Sequence, residues 1–110
     1  MSSVIIVDYG LGNMRSVSKA VEKAGASVLI SHDLDEIRSA DGIILPGVGA
    51  FHEAMTKLAD LGQILIESEG QVPILGICLG MQMMMDFSEE HGLHKGLGLI
   101  PGTVRRFPYS

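Results

Sequence analysis

The chain has 110 residues and a formal charge of −5, with 8 Lys and Arg against 13 Asp and Glu, a length that allows one domain at most. Hydrophobic residues make up 46% and charged residues 19%, which suffices for a core and excludes disorder driven by composition. The acidic balance excludes a non-specific nucleic-acid binder, which carries a clustered basic excess, and the one basic pair, Arg105-Arg106, does not change that.

No apolar run approaches the roughly 20 residues that span a bilayer. Met1-Ser2-Ser3 leads straight into a strand-like run, so no secretory signal is visible. A single cysteine cannot form an internal disulfide, and the expected setting is reducing and cytoplasmic.

In chain order, Val4-Ile5-Ile6-Val7 is a continuous apolar run of the kind that is buried on both faces of a parallel sheet. Asp8 to Asn13 is a glycine-containing loop. Met14, Val17, Val21 and Ala24 recur at helical spacing, and Gly25 supplies the stop. Ser27 to Ile30 reads as a second strand. Asp33 opens a short helix, with Glu36 at the capping-box distance. Gly42 to Leu45 is a third strand, broken by Pro46-Gly47. Phe51, Met55, Leu58, Leu61 and Leu65 predict one face of a longer helix.

Pro73 opens a fourth strand, Ile74 to Ile77. Leu79 to Phe87 is apolar almost all round, which predicts a central, buried helix. Its methionines, Met81, Met83, Met84 and Met85, read as adaptable core filling rather than a metal box. Gly92 to Gly102 is a loop or hairpin, with Leu97, Leu99 and Ile100 as candidate strand residues. Thr103 to Phe107 reads as a further short strand. Alternating strands and helices imply βαβ units and a parallel sheet. In such sheets the working residues lie beyond the carboxyl ends of the strands. That directs attention to Asp8–Asn13, Pro46–Phe51 and the segment from Cys78 onward.

Gly76-Ile77-Cys78-Leu79-Gly80 places the one cysteine between a strand and a helix, with glycines two before and two after it. A nucleophile on a sharp strand-to-helix turn needs small neighbours, because the chain folds tightly around it. The following N–H groups, of Leu79 and Gly80, open a helix and favour thiolate or an oxyanion. The plain alternative is a small buried hydrophobe, a common fate of free cysteine. Pro46-Gly47-Val48-Gly49-Ala50-Phe51 shares the same sheet edge and can aim an N–H at an oxyanion; alone it is an ordinary glycine-rich turn. It is not a phosphate loop, because no Gly-Lys-Ser/Thr follows. Gly10-Leu11-Gly12 lacks the third glycine of a dinucleotide fingerprint.

Taken together, Asp8-Tyr9-Gly10-Leu11-Gly12-Asn13, Pro46 to Phe51 and Gly76-Ile77-Cys78-Leu79-Gly80-Met81-Gln82 resemble the class I glutamine amidotransferases. The Pro-Gly-Val-Gly form, Asn13 and the run Gly96 to Gly102 resemble, more narrowly, the glutaminase subunits of imidazole glycerol phosphate synthase. The resemblance implies an α/β fold, a three-layer parallel-sheet sandwich of flavodoxin-like type. It implies that residues 1–110 are the amino-terminal part of such a domain, with the carboxyl-terminal part absent. It implies that Cys78 attacks the glutamine carboxamide through a thioester. Leu79 N–H would be one oxyanion donor, and the Val48–Gly49 peptide the other after reorienting on a signal from a partner. Gln82 and Glu90 would hold the substrate; read by itself, Glu90 is a solvated acid beside Glu89. Ammonia would pass to a (β/α)₈-barrel cyclase partner, with Asn13 facing it, and histidine biosynthesis is the implied pathway. No cofactor and no metal are implied.

A cysteine elbow also needs a base and an orienting carboxylate. The resemblance places both in a His-Pro-Glu stretch, which this sequence does not contain. His32, His52, His91 and His94 are the four histidines, and none matches. Their spacing is not that of a zinc site. His52 is the nearest substitute, although a helix N-terminus disfavours imidazolium. Two other readings therefore stand beside the glutaminase. One is a cysteine hydrolase or thiol sensor using a local base such as His52. The other is an inert fragment that only binds a partner.

Overall fold

The computed structural model describes residues 3–108. Four strands form a wholly parallel sheet: β1 (Ser3–Val7), β2 (Ser27–Ser31), β3 (Gly42–Leu45) and β4 (Ile74–Gly76), in the order β2-β1-β3-β4. The register pairs Ile5 with Leu29 and with Ile43, and Ile44 with Leu75. Side chains alternate along a strand, so β1 and β3 feed both faces. Ile5, Val7, Ile43 and Leu45 face the main core. Ile6 and Ile44, on the other face, are also buried.

The helices are α1 (Met14–Lys23), α2 (Leu34–Arg38), α3 (Phe51–Leu58), α4 (Leu61–Ser68) and α5 (Leu79–Met83). Helix α1 lies against β1 and β2 on the Val4 side, where Val4 and Val21 line one apolar groove. The other four helices bring Ile37, Phe51, Leu58, Leu65 and Met83 to the main core. The result is a three-layer parallel-sheet sandwich. Among the described residues, no helix is long and apolar enough to cross a membrane.

Local chemistry starts and stops these elements. Asn13 caps α1 through Ser16 N–H, and Gly25 at φ +97° ends that stretch. Asp33 caps α2 by accepting from the N–H groups of Asp35 and Glu36. The reciprocal half of the capping box does not form. The Glu36 carboxylate instead accepts from Ser31 Oγ at 2.6 Å, which ties α2 back to the end of β2.

Two helices differ from their sequence reading. The long helix over Phe51–Leu65 is broken, because Ala59 takes φ 47° and separates α3 from α4. The apolar repeat runs across the break because both pieces bury the same side: Phe51, Leu58, Leu61 and Leu65 share one core. The helix read over Leu79–Phe87 ends at Met83, and β5 (Met85–Ser88) follows. Its last carbonyls are taken from outside. Leu97 N–H donates to Met83 O, and Leu99 N–H to Met84 O, both at 2.8 Å. With those acceptors occupied the backbone turns extended and pairs with β6 (His94–Lys95) and β7 (Ile100–Val104). The strand read over Thr103–Phe107 is thus shifted toward the amino terminus, and the fourth strand stops one residue short, at Gly76.

β4 is an edge strand, and Leu75 on it is 58% exposed. Beside it, Val4, Val21, Ile44, Pro73 and Leu75 contribute to an apolar groove of about 350 Å³.

Three loops converge at the carboxyl ends of β1, β3 and β4, and their contact is tight. A methyl group at Gly80 would overlap the Leu45 carbonyl, and one at Gly47 would lie 2.6 Å from Tyr9 Oη. Tyr9 is buried, and its hydroxyl donates to Pro46 O at 2.5 Å. Burial pushes the Tyr9 phenol up to about 12.

Two outcomes are expected. Gly80→Ala should destabilise the fold by about 2 kcal/mol or more, because the obstacle is strand backbone. Gly25→Ala has open space but a positive φ and should lose only about 1 kcal/mol; urea midpoints compare them. The second outcome concerns alkaline pH. The raised Tyr9 value means that the unfolded chain releases this proton first, so the Tyr9 contribution is whole below pH 10 and lost as pH rises toward 12. An absorbance titration of Tyr9→Phe against wild type should lack the component that titrates near 12. A missing component near 10 instead would contradict it.

Candidate active site

Cys78 is the N-cap of α5, with φ 54° and ψ −120°. A non-glycine residue with positive φ is strained, and such strain needs surroundings that enforce it. They are present on both sides. A methyl group at Gly76 would lie 2.6 Å from Met81 Cα, and one at Gly80 has no room at all. Ile77 N–H donates to Leu45 O at 3.0 Å, carrying the ladder up to the turn. The chain therefore reverses within Gly76–Gly80, and Cys78 stands exposed at the tip. This is the sharp strand-to-helix turn that the glycine spacing predicts, and Cys78, exposed on it, is not a buried hydrophobe.

The two candidate N–H donors after Cys78 separate. Gly80 N–H is engaged with Ile77 O at 2.9 Å, whereas Leu79 N–H has no partner among the described residues. The Pro46–Ala50 loop meets the elbow at Gly47, where a Cβ would lie 2.8 Å from Gly80 N and 3.1 Å from Leu79 Cβ. Val48, next along, is 52% exposed, and Gly49 has φ +96° with open space around it. The loop is packed against the elbow at Gly47 and open to solvent at Val48–Gly49.

Gln82 follows Cys78 by one helical turn, and its N–H reaches Cys78 O at 3.3 Å. Gln82 and Glu90 line one cavity of about 550 Å³ together with Glu89, His91, Val104, Arg105 and Arg106. The cavity thus holds charges of both signs. Arg105 is 3.5 Å from Glu89. Glu90 is placed by Ser88, which is fully buried and accepts Glu90 N–H at 3.2 Å. The Glu90 carboxylate accepts from Phe51 N–H at 2.9 Å, so Glu90 is not merely a solvated acid. Arg105 and Arg106, too few for a nucleic-acid signal, are cavity residues.

Asn13 is exposed, and its amide oxygen accepts Ser16 N–H at 3.4 Å. It stands on the same sheet edge as the elbow and serves as a helix cap. His52 does not serve the cysteine in this structure. Its ring stacks on His94, with centroids 4.3 Å apart and planes at 24°. His94 Nε2 in turn lies 3.1 Å from His91 O. No group of three metal-ligating side chains occurs among the described residues. Sequence reasoning missed Tyr9 as the link between the loops after β1 and β3; its signal was an aromatic two residues after a buried strand.

The chain is similar to known proteins over most of its length. It is 56% identical over 111 residues to imidazole glycerol phosphate synthase subunit HisH of Methanosarcina mazei, covering 100% of this chain and 55% of that relative. It spans about half the length of the curated relatives that it matches. Among solved structures, a protein assigned to the GMP synthases, from Thermoplasma acidophilum, superposes with TM-score 0.61 at 28% identity, over 74% of this chain and 42% of that one. A protein assigned to peptidase E of Listeria monocytogenes shares the fold, with TM-score 0.69 at 15% identity over 90% of this chain and 63% of that one. The family model for glutamine amidotransferase class-I matches residues 5–104, and with its elbow cysteine the chain belongs to that family.

Proposed function

We propose that the chain carries the nucleophilic half of a glutaminase site, in the glutaminase subunit of an imidazole glycerol phosphate synthase. The observation that carries this is Cys78, held exposed at φ 54° on a turn that tolerates no side chain at Gly80. The likeness to HisH relatives supports the assignment to histidine biosynthesis.

The Cys78 sulfur adds to the glutamine carboxamide carbon. The oxyanion is held by Leu79 N–H and by the Val48–Gly49 peptide once it turns inward. The C–N bond then breaks, and ammonia leaves with the proton taken from the thiol. Water hydrolyses the γ-glutamyl thioester, giving glutamate and the free thiol. Splitting the reaction in this way is the advantage of a covalent intermediate. Gln82 and Glu90 bind the amino-acid end, an amide and a carboxylate suited to polar and cationic groups.

The base and its orienting carboxylate are a histidine and a glutamate supplied by the half of the relatives' length outside the matched region. That half docks on the open edge of β4 and the apolar groove beside it. Residues 1–110 are on this reading the amino-terminal part of the domain. Ammonia passes to a (β/α)₈-barrel cyclase partner, with Asn13 at that interface, and the lone cysteine fits a cytoplasmic setting.

A local His52 base is disfavoured by its stacking on His94. Iodoacetamide should modify Cys78, L-glutamine should slow that modification, and His52→Ala should leave its pH profile unchanged. The 110-residue chain alone should release no ammonia from glutamine. Alkylation indifferent to glutamine would overturn the substrate assignment. Ammonia release lost on Cys78→Ala would overturn the assignment of the base to another segment. Cys78→Gly should raise stability by about 1 kcal/mol, since glycine removes the strain of positive φ; an unchanged urea midpoint would mean that the elbow stores none.

A further inference from the structure

Glu90 makes a contact that substrate binding does not require. Helix α3 begins directly after the Val48–Gly49 peptide, and its N-cap residue, Ala50, has no side chain that can cap it. The cap comes from 39 residues away, as Glu90 Oε1 accepts Phe51 N–H at 2.9 Å. The other oxygen, Oε2, has no partner among the described residues, and Glu90 lines the cavity shared with Gln82. A second tie joins the same two segments, the ring stack of His52 on α3 and His94 on β6.

From these contacts we infer that Glu90 is a positioning residue for the oxyanion loop. One carboxylate oxygen anchors the downstream end of that loop at Phe51, while the other is presented to the ammonium group of the substrate. The loop is pinned upstream by Gly47 against the elbow and downstream by this bond, and between them Val48 and Gly49 are free to turn. An ammonium group arriving at Oε2 draws on the same carboxylate, so occupancy of the cavity is felt at the loop. Both functions rest on charge-assisted hydrogen bonds, which are stronger than neutral ones. The inference rests on the glutaminase reading for the identity of the ammonium group, but not for the anchoring.

The two jobs can be separated. Glu90→Gln keeps a carbonyl acceptor for Phe51 N–H but offers the ammonium group no charge. Glu90→Ala removes both. Amide hydrogen exchange on the 110-residue wild-type chain should show Phe51 protected, while His52 and Glu53, in the same first turn, exchange freely. Protection of Phe51 should persist in Glu90→Gln and fall roughly tenfold or more in Glu90→Ala, the scale of a lost hydrogen bond to a charged acceptor. Should Glu90→Ala not fold, the wild-type comparison within the first turn decides alone: Phe51 exchanging as fast as His52 overturns the anchoring.

L-Glutamine should shift the Gln82, Phe51 and Gly49 amide resonances together, whereas glutaramate, which lacks the ammonium group, should leave Phe51 and Gly49 unmoved. Glutamine binding seen at Gln82 with Phe51 and Gly49 unmoved would overturn the coupling. No glutamine binding at all would overturn the substrate reading, and the coupling with it, while the exchange data would still report the anchoring separately.

Discussion

The close approach of the Gly80 backbone to the Leu45 carbonyl is the constraint on which the rest of the site depends. It lets α5 start directly over the end of β3, and no residue with a side chain could occupy that position. With the helix start held there, the chain must reverse between Gly76 and Gly80, and Cys78 takes the strained tip. The same closeness brings Gly47 against Leu79 and Gly80 N, so the third-strand loop lies beside the elbow without any specific bond to it. Tyr9 closes the arrangement from the first loop by donating to Pro46 O. Three loops from three strands thus form one packed unit.

The strand order explains why these loops meet. From β1 the sheet grows to one side through β2 and to the other through β3 and β4. Connections leaving β1 and β3 diverge there, and a crevice opens beyond the carboxyl ends of the strands. Cys78 and the Pro46–Ala50 loop lie at this end of the sheet. The small second sheet, β6-β5-β7, then supplies the far wall, because Glu89 and Glu90, directly after β5, and Val104 at the end of β7 line the cavity that Gln82 enters from α5.

Much of the local structure was legible because short-range rules dominate it. Apolar runs marked β1 to β4 within a residue or so, Gly25 ended the α1 segment, and Asp33 capped α2. The glycine spacing around Cys78 predicted the elbow, since crowding at a reversal is set by its immediate neighbours. Reading failed where long-range partners decided the outcome. The stretch from Leu79 to Phe87 has helical composition, yet Leu97 and Leu99 N–H take its carbonyls and turn its second half into β5. The side chain of Glu36 went to Ser31 instead of closing a box. Ala59 broke a helix whose apolar repeat runs across the break unchanged.

The candidate site divides along the same line. The sequence by itself determined the cysteine turn, its glycine neighbours and the loop beside it, together with the family to which those motifs point, because each is written in a few consecutive residues. Only the tertiary structure decided that Leu79 N–H has no partner among the described residues while Gly80 N–H is engaged, that His52 is stacked on His94, and that Glu90 accepts from Phe51 N–H. The last two outcomes depend on which groups meet across 39 residues or more of chain. A hydrogen bond or ring contact of that span leaves no periodicity or spacing behind, so it becomes visible only when the sheet has brought its ends together.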